Sequence, residues 1–161
     1  MIQKLFYSAM LLLISFALFA NIQKDSKPLP KIQITKSKPK CCPIGELSGI
    51  ASLEAVCIEG TKTILVFQLE QNSEICSIRM NLKLIDNHGR EYYPYEMKNI
   101  AECPNMTRGK KGHSFQWIFD KLDKSTTTIH VSEDNVPPPS NTTNWSWWEW
   151  KNIDIRKCNI F

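Results

Sequence analysis

Apolar and polar residues alternate along the segment from Cys76 to Leu84. Every second position is apolar, and the positions between are polar; the apolar set is Cys76, Ile78, Met80, Leu82 and Leu84. This period of two belongs to a β-strand, whose successive side chains point to opposite faces. The turn-forming residues Asp86 to Gly89 follow, so we expect the chain to reverse there and return along Glu91 to Tyr93.

Further strands are predicted on both sides of this hairpin. Thr63 to Leu69 is rich in β-branched and aromatic residues, which favours a central strand buried on both faces. His113 to Phe119 places aromatic side chains at every second position, and Thr126 to Ser132 also alternates. The last strand is expected from about Trp147 to Arg156. These segments predict a meander of antiparallel strands joined by short turns.

Two segments give less regular patterns. Ile50 to Ile58 fits either a strand or a short helix. Residues 100–112 lack periodicity and contain Cys103, Pro104 and two glycines. We expect these residues to form a long exposed loop tethered through Cys103.

Together these patterns predict an all-β fold of about seven short strands with no long helix. The arrangement expected is an antiparallel two-sheet sandwich, and the immunoglobulin-like class fits it best. Antibody-type domains are disfavoured, because Trp117 follows both Cys76 and Cys103 instead of lying between two paired cysteines.

The beginning of the chain has the pattern of an export signal. Lys4 precedes an almost wholly apolar run from Leu5 to Ala20, so residues 1–20 are predicted to be a cleaved signal peptide. The alternative is an uncleaved anchor, but about 16 residues fall short of the roughly 20 that a spanning helix needs. We therefore expect a secreted or periplasmic protein with no stable membrane span after cleavage.

A basic segment links this signal to the domain predicted over residues 44–161. Residues 21–43 contain four prolines among lysines and are predicted to be an extended linker. The alternative role is attraction to an acidic surface, such as anionic lipid or a polyanionic glycan. The net charge of +4 includes +5 from residues 21–40 and +1 from Lys4, which leaves −2 for residues 41–161. Nucleic acid is therefore not an expected partner of the domain.

All six cysteines lie beyond the predicted signal, and an even number behind an export signal predicts disulfides. They are Cys41, Cys42, Cys57, Cys76, Cys103 and Cys158. No metal site is expected, because apart from one adjacent pair the cysteines and histidines are widely spaced. Excluding a bond between those neighbours leaves twelve of the 15 possible pairings. We expect either Cys41 or Cys42 to bond Cys158.

A short motif adds a resemblance to these predictions. Leu84, Asp86, Gly89 and Tyr92 form Leu-x-Asp-x-x-Gly-x-x-Tyr after the alternating strand. With the later aromatic strand and a closing Asn-Ile-Asp-Ile segment, the chain resembles small secreted bacterial immunoglobulin-like domains of unknown function over roughly residues 50–158. The resemblance implies that the hairpin is structural and that no catalytic residues are established. The six cysteines and the proline-rich linker depart from that pattern.

The candidate site is a cluster of four tryptophans within six residues, together with the neighbouring Glu149: Trp145, Trp147, Trp148 and Trp150. In a strand, one pair of these rings would face the core and the other pair the surface. Exposed indole rings stack on sugars and anchor protein interfaces. The alternative is that all four cover the hydrophobic core.

Catalysis and cofactors are not expected. The chain contains no Gly-x-Ser-x-Gly, His-Glu-x-x-His or phosphate-binding glycine loop. The sequence thus favours a non-catalytic binding module, first a protein-interaction domain at a cell surface or in the periplasm. The alternative is a carbohydrate-binding module that uses an exposed Trp cluster. A third hypothesis is a secreted inhibitor with residues 103–112 as a rigid segment, which would need Cys103 bonded back to the domain. Coplanar exposed Trp rings would favour sugar, and a flat edge strand would favour a protein partner.

Overall fold

The computed structural model describes residues 38–133 and 147–161, and these residues form an all-β fold. Within these two ranges no helix is long and apolar enough to cross a membrane. The twelve strands are β1 (Lys40–Ser48), β2 (Ala51–Glu59), β3 (Lys62–Leu69), β4 (Ser73–Ser77), β5 (Leu82–Asp86), β6 (Glu91–Tyr92), β7 (Glu96–Lys98), β8 (Ala101–Glu102), β9 (Thr107–Gly109), β10 (Ser114–Asp120), β11 (Thr128–Glu133) and β12 (Glu149–Asp154).

Hydrogen bonds divide the strands among three sheets. The first has the order β1-β2-β3-β10-β7, the second β12-β11-β5-β6 and the third β8-β4-β9. All pairs are antiparallel except β4 with β8. The described strands exceed the predicted seven because four of them, β6 to β9, are only two or three residues long and are not visible as separate periodic segments.

One hydrophobic core receives side chains from the five-stranded and the four-stranded sheets. Leu65 and Phe67 come from β3, Trp117 comes from β10, and Leu84 and Val131 come from β5 and β11. All five are fully buried. The alternation predicted for His113 to Phe119 is confirmed, since Phe115, Trp117 and Phe119 lie on the buried face of β10.

The segment predicted as one long strand from Cys76 to Leu84 is divided in two. β4 ends at Ser77, a single 3-10 turn occupies Arg79–Asn81, and β5 begins at Leu82. The turn shifts Met80 out of the apolar row, and its side chain is 82% exposed. The prediction that Met80 faces the core is therefore wrong, because alternation in sequence continues through a break in the strand.

The hairpin after this break is confirmed. β5 pairs with β6 so that Leu84 lies opposite Tyr92. The buried Asp86 Oδ1 accepts hydrogen bonds from the backbone N–H of His88 and Arg90, at 2.8 and 3.0 Å. The guanidinium of Arg90 donates to Oδ2 at 2.8 Å. A carboxylate that accepts these hydrogen bonds stabilises the turn.

The structure decides several other predictions. The ambiguous residues from Ile50 to Ile58 belong to strand β2. β3 is central, as expected, but only one of its faces is fully buried, and the alternate side chains are half-buried. The predicted loop of residues 100–112 contains the two short strands β8 and β9. Strand β1 includes residues 40–43, which the sequence assigned to the linker. The predicted signal peptide and residues 21–37 lie outside the described residues.

Three disulfides join all six cysteines: Cys41–Cys57, Cys42–Cys158 and Cys76–Cys103. The first joins residues directly opposite each other on β1 and β2. The second connects β1 to Cys158, which confirms the prediction that either Cys41 or Cys42 bonds Cys158. These bonds favour an oxidising compartment, either extracellular or periplasmic.

Candidate functional site

The tryptophan cluster is divided between the core and the surface. Trp148 and Trp150 are buried, Trp147 is half-buried, and Trp145 lies outside the described residues. The Trp148 indole N–H donates to the backbone oxygen of Cys76 at 3.2 Å, and that of Trp150 donates to Glu46 at 3.0 Å. With their ring faces packed and their N–H groups satisfied, Trp148 and Trp150 are part of the core.

Neighbouring aromatic rings explain why these two residues turn inward. The ring centroids of Trp148 and Trp150 are 5.9 Å apart, and the two ring planes are inclined by only 5°. Phe67 packs on Trp150 with centroids 4.7 Å apart, and Phe115 packs on Trp148 at 5.7 Å. The two parallel rings therefore cover the aromatic side chains of β3 and β10 and are not available to stack on a sugar.

Trp147 instead borders a groove of about 510 Å³, which we call the sheet groove. Most of its floor is the outward face of three neighbouring strands of the four-stranded sheet. Its lining comprises Lys83, Ile85, His130, Ser132, Glu133, Trp147 and Glu149. The register places Ser132 opposite Lys83 on one side and opposite Glu149 on the other. Polar side chains from different strands therefore converge in one concave surface.

Glu133 is a buried carboxyl group at the end of β11, where this strand reaches the groove. Its side chain accepts a hydrogen bond from the Ile78 backbone N–H at 2.6 Å. Burial raises its pKa to about 7, and hydrogen bonds from the backbone N–H groups of Ile78 and Trp148 only partly oppose this effect. The carboxyl group thus changes its charge near neutral pH.

The other charged groups at the groove have opposite charges close by. Lys83 Nζ lies 3.6 Å from Glu91 Oε1. Glu149 Oε1 lies 3.0 Å from Lys151 Nζ and 3.5 Å from His130 Nε2. Among the groove residues that the structure describes, neither sign of charge is therefore in large excess.

A second surface is built on the residues predicted as a long loop. β8 and β9 pair with opposite sides of β4, and the Cys76–Cys103 disulfide ties the turn between them to the end of that strand. Thr107 Oγ1 also accepts a hydrogen bond from the Ala101 backbone N–H at 2.8 Å. This segment, residues 101–109, is held in place by strand pairing and a covalent bond.

We call the surface around this segment the tethered face. It comprises Arg79, Met80, Tyr95, Met97, Glu102 and Met106. Arg79, Tyr95, Met97 and Glu102 line a cleft of about 290 Å³ with Glu96 and Ile100, and Arg79 Nε lies 3.6 Å from Glu102 Oε2. Met80 is 82% exposed, Met106 is 47% exposed and Tyr95 is 44% exposed. Tyr95 and Met97 therefore bring large side chains to a shallow cleft, while Met80 follows the cleft residue Arg79 in the chain and Met106 lies in the turn after β8.

The two longer edge strands do not offer a flat edge for strand addition. β1 has a bulge between Pro43 and Glu46, and proline supplies no N–H. β12 faces a register shift between Ile129 and Val131, next to Asn152, whose φ is 55°. Bulges and prolines hinder pairing with another chain. A protein partner is therefore better accommodated on a side-chain surface than along β1 or β12.

The sequence identified only part of these surfaces. It named Trp147 and Glu149, which lie at the sheet groove, but it also named Trp148 and Trp150, which are in the core. It did not select Lys83, His130 and Ser132, although their alternation with apolar residues on β5 and β11 placed them on an outward face. The pairing of β11 with both β5 and β12, which brings these residues beside Glu149, has no signal in the sequence.

Comparisons with known proteins supply no further assignment. No family model, curated protein or solved structure matches the chain. Among the residues that the structure describes, no group of three or more His, Cys, Asp and Glu side chains could hold a metal ion.

Proposed function

We propose that the protein is a secreted, non-catalytic binding module that recognises a protein partner at a cell surface or in the periplasm. The observation that carries this proposal is the tethered face, which combines a cleft lined by Tyr95 and Met97, the exposed side chains of Met80 and Met106, and a disulfide-anchored support. Surface ordered before binding loses less conformational entropy on association, which favours affinity.

The residue types of the tethered face also support a protein partner. Methionine, tyrosine and arginine are enriched in protein interfaces, and tyrosine and arginine are enriched among the residues that dominate binding energy. The face has Met80 and Met106, Tyr95, and Arg79 with its counter-charge Glu102. A partner that covers this face would bury apolar area and retain a polar rim.

The tether meets the condition that a secreted inhibitor would require. Cys103 is bonded back to β4, so residues 103–106 are pre-organised. The exposed side chain of Met106 lies at this turn. Inhibition is therefore one form that binding by this face would take, and the partner's identity decides between inhibition and adhesion.

Export and architecture belong to the same proposal. The apolar run after Lys4 supports a signal peptide that ends at Ala20, and the disulfides are compatible with the oxidising compartment to which it leads. We further infer an immunoglobulin-like sandwich, in which the five-stranded and four-stranded sheets form the two layers. Their shared hydrophobic core supports this inference.

The proposal is tested by affinity capture from the surface and soluble extracytoplasmic fractions of the source organism. The bait is the oxidised protein, and the test variants are Met80→Asp and Tyr95→Asp. Because a charge in a buried interface is costly, we expect each variant to weaken retention of the partner by about thirtyfold, the effect of a hot-spot loss of about 2 kcal/mol.

Leu47→Asp is the matched control, because Leu47 is also an exposed apolar residue, at 61%. It lies on β1, at the opposite edge of the five-stranded sheet from β7. Native protein and Leu47→Asp should retain the same partner. Equal retention by all four proteins would refute the tethered face as the binding surface.

A further inference from the structure

We propose that the sheet groove is a second, independent site that binds a neutral glycan, with Trp147 as the stacking surface. His130, Ser132 and Glu149 would contact the sugar hydroxyl groups. This site differs from the tethered face in position and in ligand. It also differs from a platform of several Trp rings, since only Trp147 of the described tryptophans lines the groove.

The size of the groove fits a short oligosaccharide. Its volume of about 510 Å³ lies within the range of about 300–1,000 Å³ that is usual for small-molecule sites. Side chains on three adjacent strands form most of its floor, so neighbouring contacts are spaced by the strand separation of about 4.8 Å. A chain of sugar rings can meet several of them at once.

The lining chemistry matches hydroxyl groups, which both donate and accept hydrogen bonds. Glu149 accepts hydrogen bonds, Ser132 donates and accepts them, and His130 supplies the nitrogens of its imidazole ring. Trp147 supplies an aromatic face, and Ile85 adds a small apolar area. One aromatic wall with several mixed polar groups suits a sugar better than an apolar ligand.

The charge distribution disfavours an anionic ligand. Lys83 and Glu149 each have a group of opposite charge within 3.6 Å. An anionic glycan would meet the carboxylate of Glu149 without an excess of positive charge to offset the repulsion. A neutral glycan needs no counter-charge, and the existing pairs keep the polar groups oriented.

Two hydrogen bonds of Trp148 fix the backbone next to Trp147. The Glu133 backbone N–H donates to the Trp148 oxygen at 2.9 Å. The Trp148 indole is fixed by its bond to the Cys76 oxygen at 3.2 Å. Because residue 148 is anchored to β11 and to β4, the backbone that carries Trp147 is pre-organised at the groove.

The test is a titration of the oxidised, ¹⁵N-labelled protein with neutral glycans, followed by NMR of the indole N–H signals. The probes are dextran, laminarin, mannan, xylan, cello-oligosaccharides and chito-oligosaccharides. At least one probe should shift the Trp147 signal, which is identified by its absence from Trp147→Ala. The signals of the buried Trp148 and Trp150 should move less.

Variants separate this site from the tethered face. We expect Trp147→Ala to weaken glycan binding by about tenfold or more, whereas Trp147→Tyr retains an aromatic surface and most of the affinity. Glu149→Gln provides an independent weakened variant if Trp147→Ala does not fold. Tyr95→Asp should leave glycan binding unchanged. Absence of a Trp147 shift with all six probes, or equal affinity of Trp147→Ala, would overturn the proposal.

Discussion

Glu133 shows how a single buried group can make stability depend on pH. Its side chain is enclosed at the end of β11, and the residue is only 3% exposed. Burial raises the pKa to about 7, from an ordinary value of 4.5. The folded state therefore binds this proton more tightly than the unfolded chain. The resulting stabilisation is complete below pH 4.5 and is lost as the pH rises through about 7.

Glu133→Gln should remove this dependence, because the amide keeps an acceptor for the Ile78 N–H and cannot ionise. Between pH 5 and pH 8 the stability of the variant relative to native protein should increase by about 2.5 kcal/mol, most of the free energy that corresponds to the pKa difference. Urea unfolding with intact disulfides measures it. Glu149→Gln removes an exposed carboxylate from the same groove and is the control. A constant difference between Glu133→Gln and native protein over this range would contradict the assignment.

Asp86 has the opposite behaviour. Burial disfavours its charge, but hydrogen bonds from the backbone N–H of Arg90 and His88 and from the Arg90 side chain outweigh this effect and lower its pKa. Its stabilisation is therefore present above the ordinary value of 3.8 and is lost as the pH falls through the lower folded value.

We expect Asp86→Ala to destabilise the protein by about 2–4 kcal/mol, because the donors of the turn lose a buried acceptor. Asp86→Asn should cost less, since one amide oxygen can still accept from His88 and Arg90. Thermal unfolding at pH 7 gives the order. An alanine variant as stable as native protein would show that the carboxylate does not hold the turn.

Local chemistry explains why the sequence predicted Asp86 and did not predict Glu133. Three of the groups that donate to the Asp86 carboxylate lie within four residues of it, so the Asp-to-Gly89 spacing contains the information. Glu133 receives its hydrogen bonds from Ile78 and Trp148, which come from two distant segments. Its environment exists only after β4, β11 and the start of β12 have come together.

At the scale of elements, the alternation between Cys76 and Leu84 predicted strand but could not predict its interruption. Apolar and polar residues continue to alternate through Arg79–Asn81, although the backbone there forms a 3-10 turn and not a strand. Residues 100–112 are the opposite case, because they contain strands where the sequence predicted a loop. β8 and β9 are too short to show a period, so strand pairing with β4 was not visible in the sequence.

Gly109 brings the backbone of the tethered segment into close contact with the core residue Leu69. A Cβ at this position would lie 2.4 Å from Leu69 Cδ1 and 3.3 Å from the His113 ring. Since Leu69 is fully buried, it has little room to move. A glycine that seemed typical of a loop is therefore required for packing.

Gly109→Ala should destabilise the protein by about 1–3 kcal/mol, the usual cost of overpacking. Chemical denaturation measures the change, and Lys110→Ala, at an exposed neighbouring residue, controls for a general effect of substitutions in the segment. If both variants are equally stable, the segment does not pack against Leu69 as described.

At the scale of the whole molecule, the disulfides close loops of very different lengths. Cys42–Cys158 spans 116 residues, Cys76–Cys103 spans 27 and Cys41–Cys57 spans 16. A cross-link that closes a longer loop removes more entropy from the unfolded chain. The three bonds should therefore contribute unequally.

Replacing both cysteines of a pair with alanine should cost about 5 kcal/mol for Cys42–Cys158, about 3.5 for Cys76–Cys103 and about 3 for Cys41–Cys57. Equilibrium unfolding of the three double variants tests the order. A smaller loss for Cys42–Cys158 than for Cys41–Cys57 would contradict the dominance of loop closure.

The sequence predicted the all-β class and placed four tryptophans at a candidate site, but it could not show which of them belong to the core and which to the surface. Trp148 and Trp150 are in the core because Phe67 and Phe115 on distant strands present rings to cover. Alternation could only separate the cluster into two faces. The sequence did not predict the tethered face, because the alternating pattern placed Met80 in the core. The support of this face also depends on the Cys76–Cys103 disulfide, which the sequence did not identify.

The most direct test of the proposed interface is hydrogen exchange of the oxidised protein, alone and with the partner recovered by affinity capture. We predict slower exchange at residues 79–81, 95–98 and 101–106, with β1 unchanged. Protection of β1 or β12 with no change at these residues, or failure of the native protein to retain any partner, would contradict the account.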